Sequence, residues 1–262
     1  MTALKLLDPQ GLGELARFVT RQSLFAFDLD GTLAPIAVHA HEVKLEPALR
    51  AALKRLDELA PVCVLTGRSR EAALAILAMD LRLVIGNHGC EWPPEIRPRN
   101  LEFIKTSRIW CARLRGGLSE ESGVEIEDKG ETLAVHYRRA KEPSAALARV
   151  EGTIKGLVPT PRVIGGKFVL NLLPMAAETK GKALVEAMAL VGATRALYSG
   201  DDLTDEEVFK LEGVDLFGVH VGSETWTAAS YYLDDQSEVA GVLRSLVEML
   251  EGQYPPGLTT TG

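Results

Sequence analysis

The sequence predicts an α/β fold in which a parallel-sheet core, with helices on both faces, is interrupted by an inserted α+β unit. Short apolar runs such as Leu24–Phe27 and Val62–Leu65 alternate with segments of helical periodicity, which is typical of a parallel sheet covered on both faces. Over residues 93–174 this rhythm changes to two helix–hairpin patterns. Residues 1–92 and 175–262 are therefore expected to form the core, with the insert as a second domain.

The elements of the first half follow from apolar runs and from the residues that bound them. Leu49, Leu53 and Leu56 recur at helical spacing, and Ser69 is a suitable N-cap for the next helix. In chain order we predict a strand over 24–27, a helix over 47–59, a strand over 62–65, a helix over 71–79 and a strand over 83–85.

The insert begins where Pro93, Pro94 and Pro98 break the α/β pattern. Its turns are predicted at Asp128–Gly130 and at Gly165–Gly166, each between two strand-like runs. We predict helices over 101–115 and 144–157 and strands over 124–127, 132–136, 162–164 and 168–171.

The α/β pattern returns after Thr179. The Pro/Gly/Thr-rich segment 254–262 is expected to form an irregular tail. We predict helices over 182–190, 204–211 and 237–250 and strands over 195–199, 215–219 and 230–233.

Composition excludes some classes of function. The formal net charge of −7 argues against a nucleic-acid partner, and no apolar run is long enough to predict a membrane span. The N-terminal segment lacks the features of a signal peptide. Cys63, Cys90 and Cys111 have no motif spacing and predict thiols in a reducing compartment, so we expect a cytoplasmic protein. Nothing in the sequence fixes the oligomeric state, and a monomer is the expectation.

The strongest chemical signal is the segment Asp28–Thr32, which follows a buried strand directly. Ligands of open α/β sheets bind beyond the carboxyl ends of the strands, so Asp28 and Asp30 are expected to lie in a site. The first carboxylate can attack phosphorus, and the second can exchange a proton with the leaving oxygen and with water. Both would repel a phosphate unless a cation is present, and Mg²⁺ fits this donor chemistry.

Three further segments complete this prediction. In Thr66–Arg68 a hydroxyl and backbone amides can hold a phosphate oxygen. Lys180, at a helix start, can neutralise phosphate and hold Asp28 in place. Gly200–Asp202, followed by Asp205, places acids at the end of another strand, where they can supply metal ligands.

With these four loops in this order, the chain resembles the haloacid-dehalogenase-like (HAD) phosphatases. The resemblance implies a catalytic set of Asp28 as nucleophile, Asp30 as acid/base, Thr66 and Lys180. It implies that the 93–174 insert is a cap over the site that determines substrate specificity. It also implies Mg²⁺ as cofactor, held by Asp28, the backbone carbonyl of Asp30 and Asp201, with Asp202 or Asp205 in support.

Within that superfamily the motifs are most similar to those of the trehalose-6-phosphate phosphatases. The matching segments are Phe27–Leu33, Leu65–Arg68, Gly86–Gly89 with Glu91, Glu127–Lys129, His136–Arg138, Gly166–Lys167, Lys180–Gly181 and Gly200–Glu206. The resemblance implies a small phosphorylated sugar as substrate. The residues expected to bind it are Gly67, Arg68, His88, Glu127, Lys129, Arg138, Lys167 and Asn171.

One departure leaves the substrate open. The family usually continues Gly-Lys-x-x-x-Glu, but here Lys167 is followed by Asn171. An amide can still hydrogen-bond hydroxyls, so trehalose 6-phosphate and another sugar or glycosyl phosphate are both considered. A receiver-type module phosphorylated on Asp28 is a third possibility, against which Asp30 and the large insert argue.

Overall fold

A computed structural model describes residues 3–36, 43–223 and 226–253; the expected tail over 254–262 lies outside these residues. The chain divides into a core unit, Met1–Pro93 with Thr179–Gly262, and an insert unit, Pro94–Glu178. In chain order the elements are β1 (Leu4–Lys5), α1 (Pro9–Phe18), β2 (Leu24–Phe27), α2 (Pro47–Leu59), β3 (Val62–Leu65), α3 (Arg70–Leu77), β4 (Leu83–Ile85), α4 (Leu101–Gly117), β5 (Glu125–Asp128), β6 (Leu133–His136), α5 (Pro143–Lys155), β7 (Arg162–Gly166), β8 (Val169–Leu173), α6 (Lys180–Val191), β9 (Arg195–Gly200), α7 (Glu206–Phe209), β10 (Asp215–Val221), β11 (Tyr231–Leu233) and α8 (Val239–Leu250). Two 3₁₀ turns, Asn87–Gly89 and Gln236–Glu238, complete the set.

The core unit is built on a seven-stranded parallel sheet in the order β1-β11-β10-β9-β2-β3-β4. Alternate residues of β2 face opposite sides, and Phe25 and Phe27 share a core cluster with Leu53 of α2 and Leu246 of α8. The other face is covered by α6, which contacts β2 and β3. The predicted parallel α/β core with helices on both faces is confirmed.

Helix starts in the core unit follow local chemistry. Pro47 occupies the first turn of α2, and the Ser69 hydroxyl accepts the Ala72 N–H at 3.3 Å at the start of α3. The Thr179 hydroxyl accepts the Lys182 N–H at 3.2 Å at the start of α6. Side-chain caps therefore set where two of the helices begin.

One helix of the core unit was not predicted and another was predicted too long. Helix α1 was not predicted; Gly11 and Gly13, which lower helix propensity, are buried there together with Leu15. Helix α7 is a single turn, not the predicted 204–211, because the residues before it form a turn around the Asp202 carboxylate.

The insert unit contains two helices and the antiparallel sheet β5-β6-β8-β7, so the predicted pair of helix–hairpin units is confirmed. One face of this sheet packs with α4 and α5 around Trp110, whose Nε1 donates to the Pro159 carbonyl at 2.7 Å. The end of the unit is held by Glu178. Its carboxylate accepts from Arg97 and its carbonyl accepts from Arg162, both at 2.7 Å.

Among the described residues, no helix has both the length and the apolar character needed to cross a membrane. The three cysteines form no disulfide, and Cys63 and Cys111 are buried. Burial raises the pKa of the Cys63 thiol far above its ordinary value, so this side chain behaves as a small apolar residue.

Candidate active site

The four core loops predicted from the sequence meet at the carboxyl edge of the parallel sheet. Asp28 follows β2, Thr66 follows β3 and Asp201 follows β9, and β9, β2 and β3 are neighbours in the sheet. The N–H of Asp28 donates to the Ser199 carbonyl at 2.8 Å, which fixes the first loop to β9. Lys180, the first residue of α6, reaches the same place.

Lys180 is buried between two carboxylates. Its Nζ donates to Oδ1 of Asp28 at 2.7 Å and to Oδ1 of Asp205 at 2.8 Å, and the Tyr198 hydroxyl donates to the same Asp205 oxygen at 2.5 Å. Burial alone would lower the pKa of Lys180, but Asp205 and Asp28 raise that pKa well above its ordinary value. The amine therefore stays charged and holds the Asp28 carboxylate in one orientation.

Three carboxylates, those of Asp28, Asp201 and Asp205, have oxygens within 4.8 Å of one another. Burial raises the pKa of Asp28 well above its ordinary value; Lys180 opposes this, while Asp205 and Asp201 add to it. Burial, with Asp205 and Asp202 beside it, raises the pKa of Asp201 to about 8. One lysine cannot balance this much negative charge.

The donor set fits a hard divalent cation. Oδ1 of Asp201 is buried without a hydrogen-bond partner among the described residues, and an orphaned carboxylate oxygen is costly unless a cation or donor reaches it. The approach of Asp201 depends on Gly31, whose φ is 82° and where a Cβ would lie 2.0 Å from Oδ2 of Asp201. The site can therefore hold a metal between the first and last loops.

Asp202 lies outside this cluster of three. Its Oδ1 accepts the N–H of Thr204 at 2.8 Å and the hydroxyl of Thr204 at 2.6 Å, while its own N–H donates to Oδ2 of Asp205 at 3.0 Å. These bonds make Asp202 an organiser of the acidic loop. Its metal role stays a prediction, and the same holds for the backbone carbonyl of Asp30.

Thr66 and Gly67 form the base of the second loop. Thr66 is buried, and its hydroxyl accepts the Arg68 N–H at 3.2 Å. His88 lies in left-handed conformation, with φ 57°, and packs against Gly67, where a Cβ would lie 2.5 Å from Cε1 of the ring. His88 therefore lies close to Thr66 and Gly67, and its substrate role stays a prediction.

Arg68 and Asp30 form a bidentate ion pair in the core unit. Nε of Arg68 lies 2.6 Å from Oδ2 of Asp30, and Nη2 lies 2.6 Å from Oδ1. Arg68 thus binds the residue predicted to be the acid/base.

Three residues predicted to bind substrate, and a histidine beside them, share one face of the insert sheet. Glu127 is opposite Ala134, which is opposite Asn171, and residues opposite each other in an antiparallel sheet project to the same side. Nε2 of His136 lies 2.9 Å from Oε2 of Glu127, and Nζ of Lys129 donates to Oδ1 of Asn171 at 3.3 Å. We call these four residues, Glu127, Lys129, His136 and Asn171, the polar face of the insert.

The remaining two predicted residues of the insert lie by its second hairpin. Nη2 of Arg138 donates to the carbonyl of Lys167 at 3.3 Å, and the guanidinium lies 5.7 Å from the ring centroid of Phe168. Lys167 itself is exposed in the turn between β7 and β8.

Sequence reasoning missed Tyr198 and gave no role to Glu91. Tyr198 is buried and donates to Asp205, but in the sequence it is one apolar residue of a strand. Oε2 of Glu91 accepts from the Asn87 side chain at 3.0 Å and from the Arg70 N–H at 2.8 Å. The only indication of a role for Glu91 in the sequence was its place in the motif that begins with Gly86–Gly89.

The chain matches known proteins over most of its length. A family model described as trehalose-phosphatase matches residues 26–252. Trehalose 6-phosphate phosphatase RA3 of Zea mays is 27% identical over 270 residues, covering 92% of this chain and 74% of that protein. A trehalose-phosphate phosphatase of Mycobacterium tuberculosis is 31% identical over 261 residues, covering 92% of this chain and 65% of that one.

Solved structures share the fold. The C-terminal domain of a Candida albicans trehalose-6-phosphate phosphatase superimposes with a TM-score of 0.72 at 22% identity, covering 94% of this chain and 98% of that one. A sucrose-phosphatase of Synechocystis gives a TM-score of 0.54 at 17% identity, covering 88% and 98%. At these identities the likeness is one of fold.

Proposed function

This chain is a phosphomonoester phosphatase of the trehalose-phosphatase family, and we propose that it hydrolyses trehalose 6-phosphate to trehalose and phosphate through an aspartyl phosphate. The observation that carries the proposal is the cluster of Asp28, Asp201 and Asp205 around the buried amine of Lys180. A carboxylate at a strand end, fixed by a lysine beside a cation-binding acid pair, suits nucleophilic attack on phosphorus.

The chain's own residues divide the chemistry as follows. An oxygen of Asp28 bonds to phosphorus while the bond from phosphorus to the sugar oxygen breaks, and Asp30 gives that oxygen a proton. Water then attacks the phosphorus of the aspartyl phosphate and gives a proton to Asp30. The bond between phosphorus and the Asp28 oxygen breaks, and inorganic phosphate leaves. Thr66 and the backbone of Gly67 bind phosphate oxygens during both steps.

Magnesium completes the site in this proposal. The carboxylates of Asp28 and Asp201 and the backbone carbonyl of Asp30 would hold it, with Asp202 and Asp205 in support. Bound there, Mg²⁺ would supply positive charge against the phosphate oxygens and the nearby carboxylates. Asp205, whose Oδ1 accepts from Lys180 and Tyr198, is suited to orienting the other groups.

We assign the sugar to the polar face of the insert, together with Arg138 and Lys167, and assign His88 to the phosphate end of the substrate. The substrate role predicted for Arg68 stays a prediction, because its guanidinium is bound to Asp30. Carboxylate, amine and amide groups close together on one sheet face are suited to bind hydroxyls. The alternative substrate, another sugar or glycosyl phosphate, is favoured by Asn171, whose Oδ1 accepts from Lys129 where the family usually has a carboxylate.

The cellular setting is part of the proposal. We place the protein in the cytoplasm, because the number and spacing of Cys63, Cys90 and Cys111 indicate thiols in a reducing compartment. We propose that it acts as a monomer on a small-molecule sugar phosphate without a nucleic-acid or membrane partner.

The test is steady-state phosphate release, with and without Mg²⁺, on a panel of trehalose 6-phosphate, sucrose 6-phosphate and glucose 6-phosphate. We expect the highest kcat/KM for trehalose 6-phosphate and no turnover without a divalent cation. A higher kcat/KM on another sugar phosphate would select the alternative substrate, and Asn171→Glu would then shift the preference toward trehalose 6-phosphate. Phosphorylation of the chain without repeated turnover would indicate a receiver.

The nucleophile is tested by Asp28→Asn, which should abolish turnover because an amide cannot form the aspartyl phosphate. Asp80→Asn is the matched control, since Asp80 is an exposed carboxylate. Circular dichroism should show the native fold in both variants. Retained turnover in Asp28→Asn would refute the assignment.

A further inference from the structure

The ion pair between Arg68 and Asp30 uses both carboxylate oxygens. The two N···O distances are each 2.6 Å, and the exposed side-chain fraction is 19% for Arg68 and 33% for Asp30. A planar guanidinium that donates two parallel N–H bonds fixes both the position and the plane of a carboxylate. Asp30 is therefore held in one orientation before any substrate arrives.

The loop that carries Arg68 is itself fixed by the turn at residues 86–91. The N–H of Asn87 donates to the Arg68 carbonyl at 2.7 Å, and the N–H of His88 donates to the Thr66 carbonyl at 2.9 Å. The Glu91 carboxylate accepts the Arg70 N–H at 2.8 Å, which anchors the residue after the loop. Backbone on both sides of Arg68 is thus bound to the same turn.

A rigid backbone matters because the guanidinium is at the end of a long side chain. Four rotatable bonds separate the Arg68 backbone from its charge, so the guanidinium keeps one orientation only if its backbone and its hydrogen-bond partner are both held in place. The turn at residues 86–91 holds the backbone, and Asp30 is the partner. Asp30, which follows the nucleophile by two residues, receives its orientation from a neighbouring strand's loop.

We propose that Arg68 is a positioning residue for Asp30. It aims Asp30 so that its protonated carboxyl group can give a proton to the leaving sugar oxygen and its carboxylate can later take one from water. This role rests on the proposed function, in which Asp30 makes those transfers. This role differs from that of a phosphate ligand. Removing a phosphate ligand lowers kcat/KM for every phosphate ester. Removing a residue that positions the acid lowers kcat/KM most for esters whose leaving group must be protonated.

The test compares two substrates in the wild-type chain, Arg68→Ala and Arg68→Lys. Trehalose 6-phosphate has a sugar-alcohol leaving group that must be protonated, whereas p-nitrophenyl phosphate releases a stable anion. For Arg68→Ala we expect kcat/KM to fall about 100-fold on the sugar phosphate and less than about threefold on p-nitrophenyl phosphate, since a positioned acid contributes on the order of 10²-fold or more. Arg68→Lys should recover part of the lost kcat/KM, because lysine keeps the charge but cannot donate two parallel N–H bonds to the carboxylate.

Two further variants complete the design. Asp30→Asn should show the same substrate bias, and adding Arg68→Ala to it should cause no further loss, because residues that act as a unit are non-additive. Arg70→Ala removes an arginine two residues further along the chain, at the start of α3, and should leave the ratio of the two kcat/KM values unchanged. Thermal unfolding of each variant shows whether it is folded.

Two outcomes would overturn the proposal. Equal losses on both substrates would make Arg68 a phosphate ligand, and additive losses in the double variant would separate it from Asp30. Failure of the proposed function is a different result. In that case the wild-type chain would turn over p-nitrophenyl phosphate but not trehalose 6-phosphate. The ratio of the two kcat/KM values would then be measured with the sugar phosphate of the panel that the chain hydrolyses best.

Discussion

Lys180 illustrates how the site depends on single residues. A buried ammonium group is costly unless it is paired and hydrogen-bonded, and here Asp28 and Asp205 each accept from it within 2.8 Å. The sequence indicated that a lysine at this helix start could hold Asp28. It could not indicate that Tyr198 and Asp205 complete the arrangement, because those contacts depend on which strand lies beside β2.

Replacing Lys180 with methionine should abolish turnover and lower stability. The change removes the ammonium group that Asp28 and Asp205 bind, and breaking a buried pair in this way costs about 3–5 kcal/mol. Urea unfolding in EDTA measures the free energy of unfolding, and phosphate release measures turnover.

Lys182→Met is the control for that experiment. Lys182 lies two residues along the same helix, its side chain is 62% exposed, and its Nζ is 3.9 Å from Glu186. Exposed pairs of this kind contribute at most about 0.5 kcal/mol, so stability should barely change. Equal losses in both variants would contradict the buried-charge argument.

At the scale of elements, the sequence predicts most where burial alone decides. The predicted bounds of β2, β3 and β4 agree with the structure, since each is an apolar run that ends at polar or glycine residues. Helix α7 was predicted too long, because a turn around the Asp202 carboxylate replaces its first residues. Such side-chain-to-backbone bonds compete with the helix and leave no trace in apolar periodicity.

The first loop should be sensitive to Gly31. In Gly31→Ala the new Cβ would meet the Asp201 carboxylate at 2.0 Å, and the positive φ adds strain of about 1–2 kcal/mol. We expect the carboxylate to be displaced and the affinity for Mg²⁺ to fall at least tenfold. Isothermal titration with Mg²⁺ measures this directly.

Gly192→Ala separates strain from collision. Gly192 also has a positive φ, 70°, but a Cβ there would have no described neighbour within 4 Å. Its substitution should lower stability by a similar strain energy and leave Mg²⁺ affinity unchanged. If both variants lost Mg²⁺ affinity, the close approach of Asp201 to Gly31 would not explain the effect.

At the scale of the whole molecule, the sequence predicted which loops carry chemistry but not the strand order that gathers them. The order β9-β2-β3 places Asp201, Asp28 and Thr66 at one sheet edge, although Asp28 and Asp201 lie 173 positions apart in the sequence. Long-range parallel pairing of this kind leaves no local pattern. The family resemblance implied that these loops form one site, and the strand order explains how their side chains come together.

Those carboxylates should make the stability of the metal-free protein depend on pH. The pKa of Asp201 is raised to about 8 by burial and by Asp205, whereas an aspartate in the unfolded chain loses its proton near its ordinary value of 3.8. Between these values the folded state binds more protons than the unfolded state, so stability falls as pH rises. In EDTA we expect the free energy of unfolding to decrease from about pH 5 to about pH 8.

Asp201→Asn should flatten that dependence, because an amide does not titrate, and Mg²⁺ should oppose it in the wild-type chain. Mg²⁺ binds only the folded, ionised cluster, so the rise in Tm on adding it should be larger at about pH 8 than at about pH 5. Urea unfolding and thermal melts at several pH values, with EDTA or excess Mg²⁺, measure both effects. The three clustered carboxylates would lose their role as a cation site if Asp201→Asn kept the full pH dependence and the full response to Mg²⁺.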